Sequence, residues 1–446
     1  MEYRWLTNVN PRRFVGIQRW VGRMRLGRVK IENFVFIFPL RSAFRIFDQR
    51  TKINSLPVFA GLSTRMDVEQ LKRVYSASKE RSITGRIIPP ERVFSLCQAF
   101  GAQTECVGTS VLGRPICSVK FGRGPRRILF WTQMHGNEPT ATGAVFDLLN
   151  FLKACPEASE RYVERLHEDF TLLFVPMLNP DGAVLFRRSN ALGIDLNRDA
   201  LALAAPESRI LRRVLQDFRP EYCFNLHDQR NIYNVSGTPR TATLSFLAPS
   251  EDLQRTLTPG RKASMALIAA MNRCVQQIIP GCVGRYSDEF YPTAVGDTCQ
   301  KAGCRTVLIE SGTYPGDPER QVARFGNFAA ILSALEYLSH PGDLTRGWED
   351  YETIPRNDTK MMDVILRGVR TSLGDCSARV DIGVMFEEKP SADGQSLVKK
   401  AVIEAIGDLR YYYGICEIDA KEEPVTGLGT CPQVGAALPW DTLAGK

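Results

Sequence analysis

Four segments of the chain share one pattern, a continuous apolar run that is followed at once by polar residues. These runs are Ile128–Trp131, Leu172–Leu178, Tyr222–Leu226 and Thr306–Ile309. Stretches with apolar residues at helical spacing lie between them, for example Thr142–Lys153. Strands that are apolar throughout are typical of sheets covered on both faces, and their alternation with helices indicates parallel pairing. The pattern therefore predicts an α/β fold with a mixed, largely parallel central sheet and helices on both faces.

The pattern changes near residue 343, which predicts a boundary between a main domain over 67–342 and a smaller domain over 343–446. Apolar and polar residues alternate over Val380–Phe386, as they do in a half-buried strand. The apolar spacing over Leu397–Ile406 predicts a helix, and Tyr411–Ile418 predicts a further strand. The second domain is therefore expected to be a small α+β unit.

The net charge of +8 is concentrated at one end of the chain. Residues 1–66 hold 13 Lys and Arg against 3 Asp and Glu, a net charge of +10, so the remaining residues carry a net charge of −2. This distribution argues against a nucleic-acid partner for the body of the protein. We expect a poorly ordered basic extension, and a start at Met66 also fits the pattern. A transit-type leader, a membrane-surface segment and a nucleic-acid arm remain alternatives for residues 1–66.

Membrane insertion and disulfide formation receive little support from the sequence. No apolar run approaches the roughly 18 residues that span a bilayer, so we expect no transmembrane segment. Without a recognisable secretory leader, the cytoplasm is the expected compartment, although the Arg-rich start leaves export or targeting open. The twelve cysteines are scattered and form no CxxC pair, and we expect buried free thiols.

Two of the four histidines stand where strands of the predicted sheet end. His135 follows the strand Ile128–Trp131, and Glu138, three residues later, precedes a helix. His227 ends a further apolar strand. The carboxyl edge of an open α/β sheet is where ligand sites are built. Two imidazoles and one carboxylate with an open fourth position make a catalytic zinc set, with metal–ligand distances of about 2.0–2.2 Å. The sequence therefore predicts a site for one Zn²⁺.

A further carboxylate is expected at the same edge of the sheet. Glu310 ends the apolar strand Thr306–Ile309 and is followed by Ser311-Gly312. A carboxyl group that emerges from an apolar wall has a raised pKa, which suits a general base acting on metal-bound water. We therefore predict that Glu310 is catalytic.

A cluster of hydrogen-bond donors follows the predicted turn Asn179–Gly182. Beside Asp195 it contains Arg187, Arg188, Asn190, Asn197 and Arg198. Guanidinium groups bind carboxylates bidentately and stabilise oxyanions. The cluster therefore indicates a substrate with a free carboxylate.

These residues belong to a series of motifs that resembles the zinc metallocarboxypeptidase family, of which carboxypeptidase A is the best-known type. In chain order the motifs are His135-Gly-Asn-Glu138, Asn179-Pro-Asp-Gly182, Arg188-Ser-Asn190, Gly193-Ile-Asp-Leu-Asn197-Arg198, Leu226-His227 and Glu310-Ser-Gly312. The resemblance covers roughly residues 100–340. The segments 225–230 and 288–297 are more similar to bacterial members than to digestive ones.

The resemblance implies a fold and a set of roles. His135, Glu138 and His227 would bind the zinc ion. Glu310 would activate the zinc-bound water and pass its proton to the leaving amine.

Further roles implied by the resemblance concern the substrate, a peptide with a free C-terminal carboxylate. Arg188 would polarise the scissile carbonyl, Asn197 and Arg198 would anchor the C-terminal carboxylate, and Tyr291 would close over the substrate. Two positions stay open, with Arg187 as the alternative to Arg188 and Tyr286 as the alternative to Tyr291.

Three functions compete at this point. The leading hypothesis is a zinc carboxypeptidase that releases C-terminal residues from peptides. A zinc amidohydrolase of the aspartoacylase kind, acting on small N-acyl amino acids, is the second. The third is a non-catalytic binding protein on the same fold, and the retention of ligands, base and arginines together argues against it.

Overall fold

The computed structural model of the protein describes residues 67–154, 159–424 and 429–438. These residues belong to one compact unit, residues 62–446. The predictions made above for the basic segment 1–66 lie outside the described residues. No helix within the described ranges is long and apolar enough to cross a membrane.

A mixed eight-stranded sheet lies at the centre of the fold and confirms the predicted fold class. Its strand order is β1-β2-β4-β3-β5-β9-β7-β8. The central neighbours β4, β3, β5 and β9 run parallel, whereas β1, β2 and β7 join through antiparallel pairs. In chain order the first nine strands are β1 (Thr104–Thr109), β2 (Pro115–Gly122), β3 (Arg126–Thr132), β4 (Phe170–Val175), β5 (Tyr222–Asp228), β6 (Asn234–Val235), β7 (Leu244–Leu247), β8 (Val283–Arg285) and β9 (Arg305–Ser311).

Helices cover both faces of this sheet. In chain order they are α1 (Val68–Ser78), α2 (Pro90–Gln98), α3 (Thr140–Lys153), α4 (Glu160–Asp169), α5 (Pro180–Val184), α6 (Pro206–Phe218), α7 (Pro259–Val275), α8 (Val295–Lys301) and α9 (Gln321–Ser339). One hydrophobic core joins the sheet to α1–α4, α7 and α9, and a second core joins its other face to α6 and α8. Successive residues of a strand point to opposite faces, so Phe224 packs in the first core and Cys223 in the second.

The four predicted apolar runs lie in the four parallel strands at the centre of the sheet. The run Leu172–Leu178 extends beyond its strand, because β4 ends at Val175. Pro176 follows and has no backbone N–H for the ladder, so a central strand ends before it. The predicted helix over 142–153 is α3, which begins two residues earlier at Thr140.

The C-terminal residues form a second sheet of five strands in the order β14-β11-β12-β13-β15. The strands after β9 are β10 (Asn357–Asp358), β11 (Met361–Leu373), β12 (Cys376–Pro390), β13 (Leu397–Gly407), β14 (Tyr413–Asp419) and β15 (Ala437–Leu438). The alternation over Val380–Phe386 and the run ending at Ile418 were therefore interpreted correctly as strands.

The helix predicted over Leu397–Ile406 is wrong, because this segment is the strand β13. Ala401 and Ile403, two residues apart, are buried on one face, whereas the next residue, Glu404, is exposed on the other. This alternation is the period of a strand. The segment pairs with β12 along its length, and tertiary pairing overrides an apolar spacing that also fits a helix. The expected α+β unit is therefore mainly a β-sheet in the described part of 343–446.

Contacts from this second sheet reach the loop that follows β5. Met361 N–H, in β11, donates to the carbonyl of Ile232 at 3.1 Å, and β10, just before this sheet, forms a separate two-stranded sheet with β6. The Asn231 side chain donates to the Asp363 carboxylate at 2.8 Å. The loop behind His227 is therefore held between the two sheets.

Candidate active site

Three potential metal ligands meet at the carboxyl edge of the central sheet. His135 lies just after β3, Glu138 just before α3, and His227 within β5. His135 Nδ1 and His227 Nδ1 are 2.9 and 2.8 Å from the two Glu138 carboxylate oxygens, and the two Nδ1 atoms are 3.2 Å apart. All three side chains are buried. The structure thus brings together the three residues predicted as zinc ligands.

Asp195 determines which nitrogen of His135 faces this cluster. Its Oδ1 lies 3.0 Å from His135 Nε2 and also accepts the Asn197 N–H at 2.9 Å. An ionised carboxylate only accepts, so Nε2 carries a proton toward Asp195, which leaves Nδ1 as the ring nitrogen that would bind a metal ion. A carboxylate behind a ligating histidine also makes the ring a better metal ligand.

The donor set fits a single zinc ion. Tetrahedral zinc with bonds of about 2.0–2.1 Å separates its ligand atoms by about 3.3 Å, close to the 3.2 Å between the two Nδ1 atoms. Two imidazole nitrogens and a carboxylate within 4.8 Å of one another are the ligand types that catalytic zinc sites use. His135, Glu138 and His227 would hold the ion.

The charges of the cluster shift its pKa values in opposite directions. Burial disfavours the charged form of Glu138, yet His135 and His227 beside it lower its pKa. Burial likewise disfavours protonated His135, but Glu138 and Asp195 outweigh it and raise its pKa. For His227 burial prevails and lowers the pKa, so this ring stays neutral as a metal ligand requires.

The loop that carries His135 packs directly on the segment Asn179–Gly182. A Cβ on Gly136 would lie 2.0 Å from the backbone carbon of Gly182, so only glycine permits this approach. Asn179 caps α5 by accepting the Gly182 N–H at 2.9 Å and donates to the carbonyl of Met134 at 3.1 Å. The predicted turn is therefore the start of a short helix that fixes the metal-binding loop.

Glu310 lies beside the metal ligands. It is the register partner of His227 across the parallel pair β5–β9. Paired residues point to the same face of a sheet, so the Glu310 carboxylate extends on the side of the His227 ring. It makes no hydrogen bond or ion pair with the described residues. Desolvation and the negative charges of Glu138 and Asp228 raise the pKa of Glu310 well above its usual range.

The structure distinguishes Arg188 from Arg187. Arg188 donates from Nε to Asp195 at 2.9 Å and lies 3.4 Å from Glu138, with nearly half of its side chain exposed to the cleft. Arg187 turns away and donates to the carbonyl of Asn190. The guanidinium at the metal cluster is therefore that of Arg188.

The remaining predicted residues form a neighbouring group. Asn197 Oδ1 accepts the Val295 N–H at 2.9 Å, which leaves its side-chain N–H₂ as the donor. The Arg198 guanidinium lies 4.6 Å from the ring centre of Tyr291. Tyr286, the alternative to Tyr291, instead hydrogen-bonds through its hydroxyl to Tyr233 at 2.8 Å.

Sequence reasoning missed a buried ion pair behind the site. Asp228 accepts the Thr140 hydroxyl at 2.7 Å and lies 3.4 Å from Arg320. Burial raises the pKa of Asp228 to about 6. Arg320 also donates to the carbonyls of Ser311 and Gln229, which fixes the turn after Glu310. No local pattern marks the ion pair, because the contacts of Asp228 with Thr140 and Arg320 join positions about ninety residues apart.

Comparisons with known proteins agree with this geometry. Residues 98–234 match the family model described as zinc carboxypeptidase. A probable carboxypeptidase 2 of Trichophyton verrucosum is 26% identical over 204 residues, which cover 42% of this chain and 34% of that protein. Carboxypeptidase SOL1 of Arabidopsis thaliana is 26% identical over 234 residues, covering 48% and 43%. The chain thus spans less than half of the length of either relative.

Solved structures of other proteins also match this chain. The metallo-carboxypeptidase of Burkholderia cenocepacia superposes with a TM-score of 0.44 at 19% identity, over 55% of this chain and 69% of that one.

Proposed function

We propose that this chain, which matches the zinc carboxypeptidase family model over residues 98–234, hydrolyses the C-terminal peptide bond of peptides with a free α-carboxylate. One observation carries the proposal most directly. The unpaired carboxylate of Glu310 stands in register with His227, beside three convergent zinc ligands. That arrangement places a carboxylate, which has no hydrogen-bond or ion-pair partner among the described residues, next to a metal site.

Glu310 acts as the general base. Its carboxylate takes a proton from the attacking water and then passes it to the nitrogen of the leaving amine. The raised pKa makes the Glu310 carboxylate a stronger proton acceptor, which favours the first transfer. When bound to the three ligands, zinc supplies Lewis acidity and lowers the pKa of water.

Arg188 stabilises the charge that develops on the scissile carbonyl oxygen. Asp195 accepts from its Nε at 2.9 Å and Glu138 from its Nη1 at 3.4 Å, so Nη2 is the guanidinium nitrogen without a partner among the described residues. A prealigned donor stabilises an oxyanion without reorganising during the reaction.

Asn197 and Arg198 bind the terminal carboxylate of the substrate. The Asn197 amide is oriented by its bond to Val295 N–H, and Arg198 lies on the exposed Tyr291 ring. Two adjacent donors suit a carboxylate, and Tyr291 closes over the bound residue. The proposed set thus gives the site exopeptidase specificity.

A substrate panel tests this function. The purified, zinc-loaded chain is assayed with N-blocked dipeptides, the same dipeptides with C-terminal amides, and N-acyl amino acids. Fast release of the C-terminal residue from free-acid dipeptides alone supports the proposal. Preference for N-acyl amino acids would identify the amidohydrolase alternative. Tight binding of the dipeptides without cleavage would identify the binding-protein alternative.

A further inference from the structure

A cavity lies between α6 and α8, on the sheet face that also carries the metal ligands. Its volume is about 340 Å³, and its walls are mostly apolar, with Leu211, Leu215 and Val295 among the lining residues. None of the residues assigned above to zinc, catalysis or substrate binding lines it. Two thiols, those of Cys299 and Cys304, face this space.

A third thiol, that of Cys223, completes the group. Cys223 lies in β5 and is wholly buried, and Cys304 stands immediately before β9. Their sulfur atoms are 2.7 Å apart, and Cys299 is also hydrogen-bonded to Cys223. Cys223 is in register with Thr306, so Cys304 lies two residues before the register partner of Cys223, just ahead of the neighbouring strand β9. Two thiols that line the cavity, Cys299 and Cys304, therefore lie next to a third thiol, Cys223, which is buried behind the cavity wall.

We propose that Cys223 and Cys304 are a thiol modification site, at which a small peroxide entering the cavity links the two strands by a disulfide. The pair suits this reaction because Cys304 is partly exposed while its partner is held in contact behind it. Burial raises the pKa of Cys223 well above its ordinary value, so Cys304 is the thiol that reacts first.

The chemistry needs one peroxide per disulfide. The Cys304 thiolate attacks a peroxide oxygen, the O–O bond breaks, and the departing hydroxide is protonated to water, which leaves a sulfenic acid on Cys304. The Cys223 sulfur then attacks the Cys304 sulfur. The S–S bond forms, the S–O bond breaks, and the departing hydroxide takes the Cys223 proton as a second water. Two thiols are oxidised and the peroxide is reduced.

Mass spectrometry of the full chain tests the proposal. The reduced protein is treated with hydrogen peroxide, unreacted thiols are alkylated under denaturing conditions, and tryptic peptides are separated without reduction. The three cysteines fall on different tryptic peptides, 214–230 for Cys223, 286–301 for Cys299 and 302–305 for Cys304. A link between peptides 214–230 and 302–305, lighter by about 2 Da than the two free peptides together, is the expected result.

Matched variants complete the test. Cys304→Ser and Cys223→Ala should each abolish the link, whereas Cys299→Ser, in the same cavity, and Cys282→Ser, a half-buried thiol elsewhere, should leave it. The link joins residues that lie 81 positions apart in the chain. The thermal midpoint of unfolding of the oxidised wild-type chain should therefore exceed that of the reduced chain by about 5 °C. A link from Cys304 to Cys299, oxidation of Cys304 to sulfinic acid without a link, or no reaction at all would each overturn the proposal. None of these results depends on peptidase activity.

Discussion

Glu310 and His227 occupy paired positions of two parallel strands, so that the proposed base and a proposed zinc ligand emerge side by side. Strand pairing fixes this relationship through the backbone ladder. A shift by one residue would turn the Glu310 side chain to the opposite face of the sheet. The catalytic geometry therefore depends on the register of β5 and β9.

Replacing Glu310 should separate catalysis from metal binding. Glu310→Gln keeps the size of the side chain but removes the proton acceptor, so kcat/KM for a free-acid dipeptide should fall by about 10²–10⁴-fold. The zinc content, measured by atomic absorption, should stay at that of the wild type. Glu289→Gln, at an exposed loop position, serves as the control and should be unaffected. Activity of Glu310→Gln near the wild-type level would refute the assignment of the base.

Removing a predicted ligand should remove the metal itself. His135→Ala or His227→Ala leaves two protein ligands, too few for a stable zinc site, and both metal content and activity should be lost. His340→Ala, at an exposed histidine just after α9, should keep both. Stoichiometric zinc in His227→Ala would show that the ion binds elsewhere.

Arg198 should matter only for substrates with a free C-terminus. Arg198→Ala removes a charged partner of the terminal carboxylate, and kcat/KM for free-acid dipeptides should fall by about 10²-fold, chiefly through KM. The slow cleavage of the matching C-terminal amides should not change. Arg92→Ala, on the exposed side of α2, is the control for loss of an arginine. Equal losses on acids and amides would contradict a role in carboxylate binding.

Asp297 should make the stability of the protein depend on pH. Burial raises the pKa of Asp297 to about 6, although the Tyr291 N–H donates to it at 3.2 Å. The folded state therefore holds this proton more tightly than the unfolded state, and stability falls as the pH rises from about 4 to about 6.

The variant Asp297→Asn should remove this loss of stability, because asparagine carries no titrating proton. Its free energy of unfolding at pH 7 should exceed that of the wild type by up to about 3 kcal/mol, and the gain should vanish near pH 3.5. Urea unfolding at both pH values measures the difference. Asp217→Asn, at an exposed position of α6, is the control. A gain of equal size at both pH values would point to a cause other than titration.

Part of the site could be predicted from the sequence, because its residues are positioned by their immediate neighbours in the chain. His135 and Glu138 are three residues apart between a strand and a helix, and Glu310 follows its own apolar run. Such positions are fixed by short-range pattern, since the end of a parallel strand marks the edge of the sheet. The order of strands and helices was predictable for the same reason.

Long-range contacts were not readable from the sequence. The partners of Asp228 and of Cys223 lie 92 and 81 residues away in the chain, and the strand β13 has an apolar spacing that also fits a helix. Pairing with a neighbouring strand decided the conformation of β13, because a ladder of hydrogen bonds and buried alternate residues outweighs local preference.

The sequence by itself determined the class of the fold, the ligand types for zinc and the carboxylate that stands beside them. Only the tertiary structure decided that Arg188 and not Arg187 faces the metal cluster, and that Asp195 orients His135. The physical reason is one of range. Residue type and spacing fix what a side chain can do, whereas loop packing and strand register fix which side chains meet.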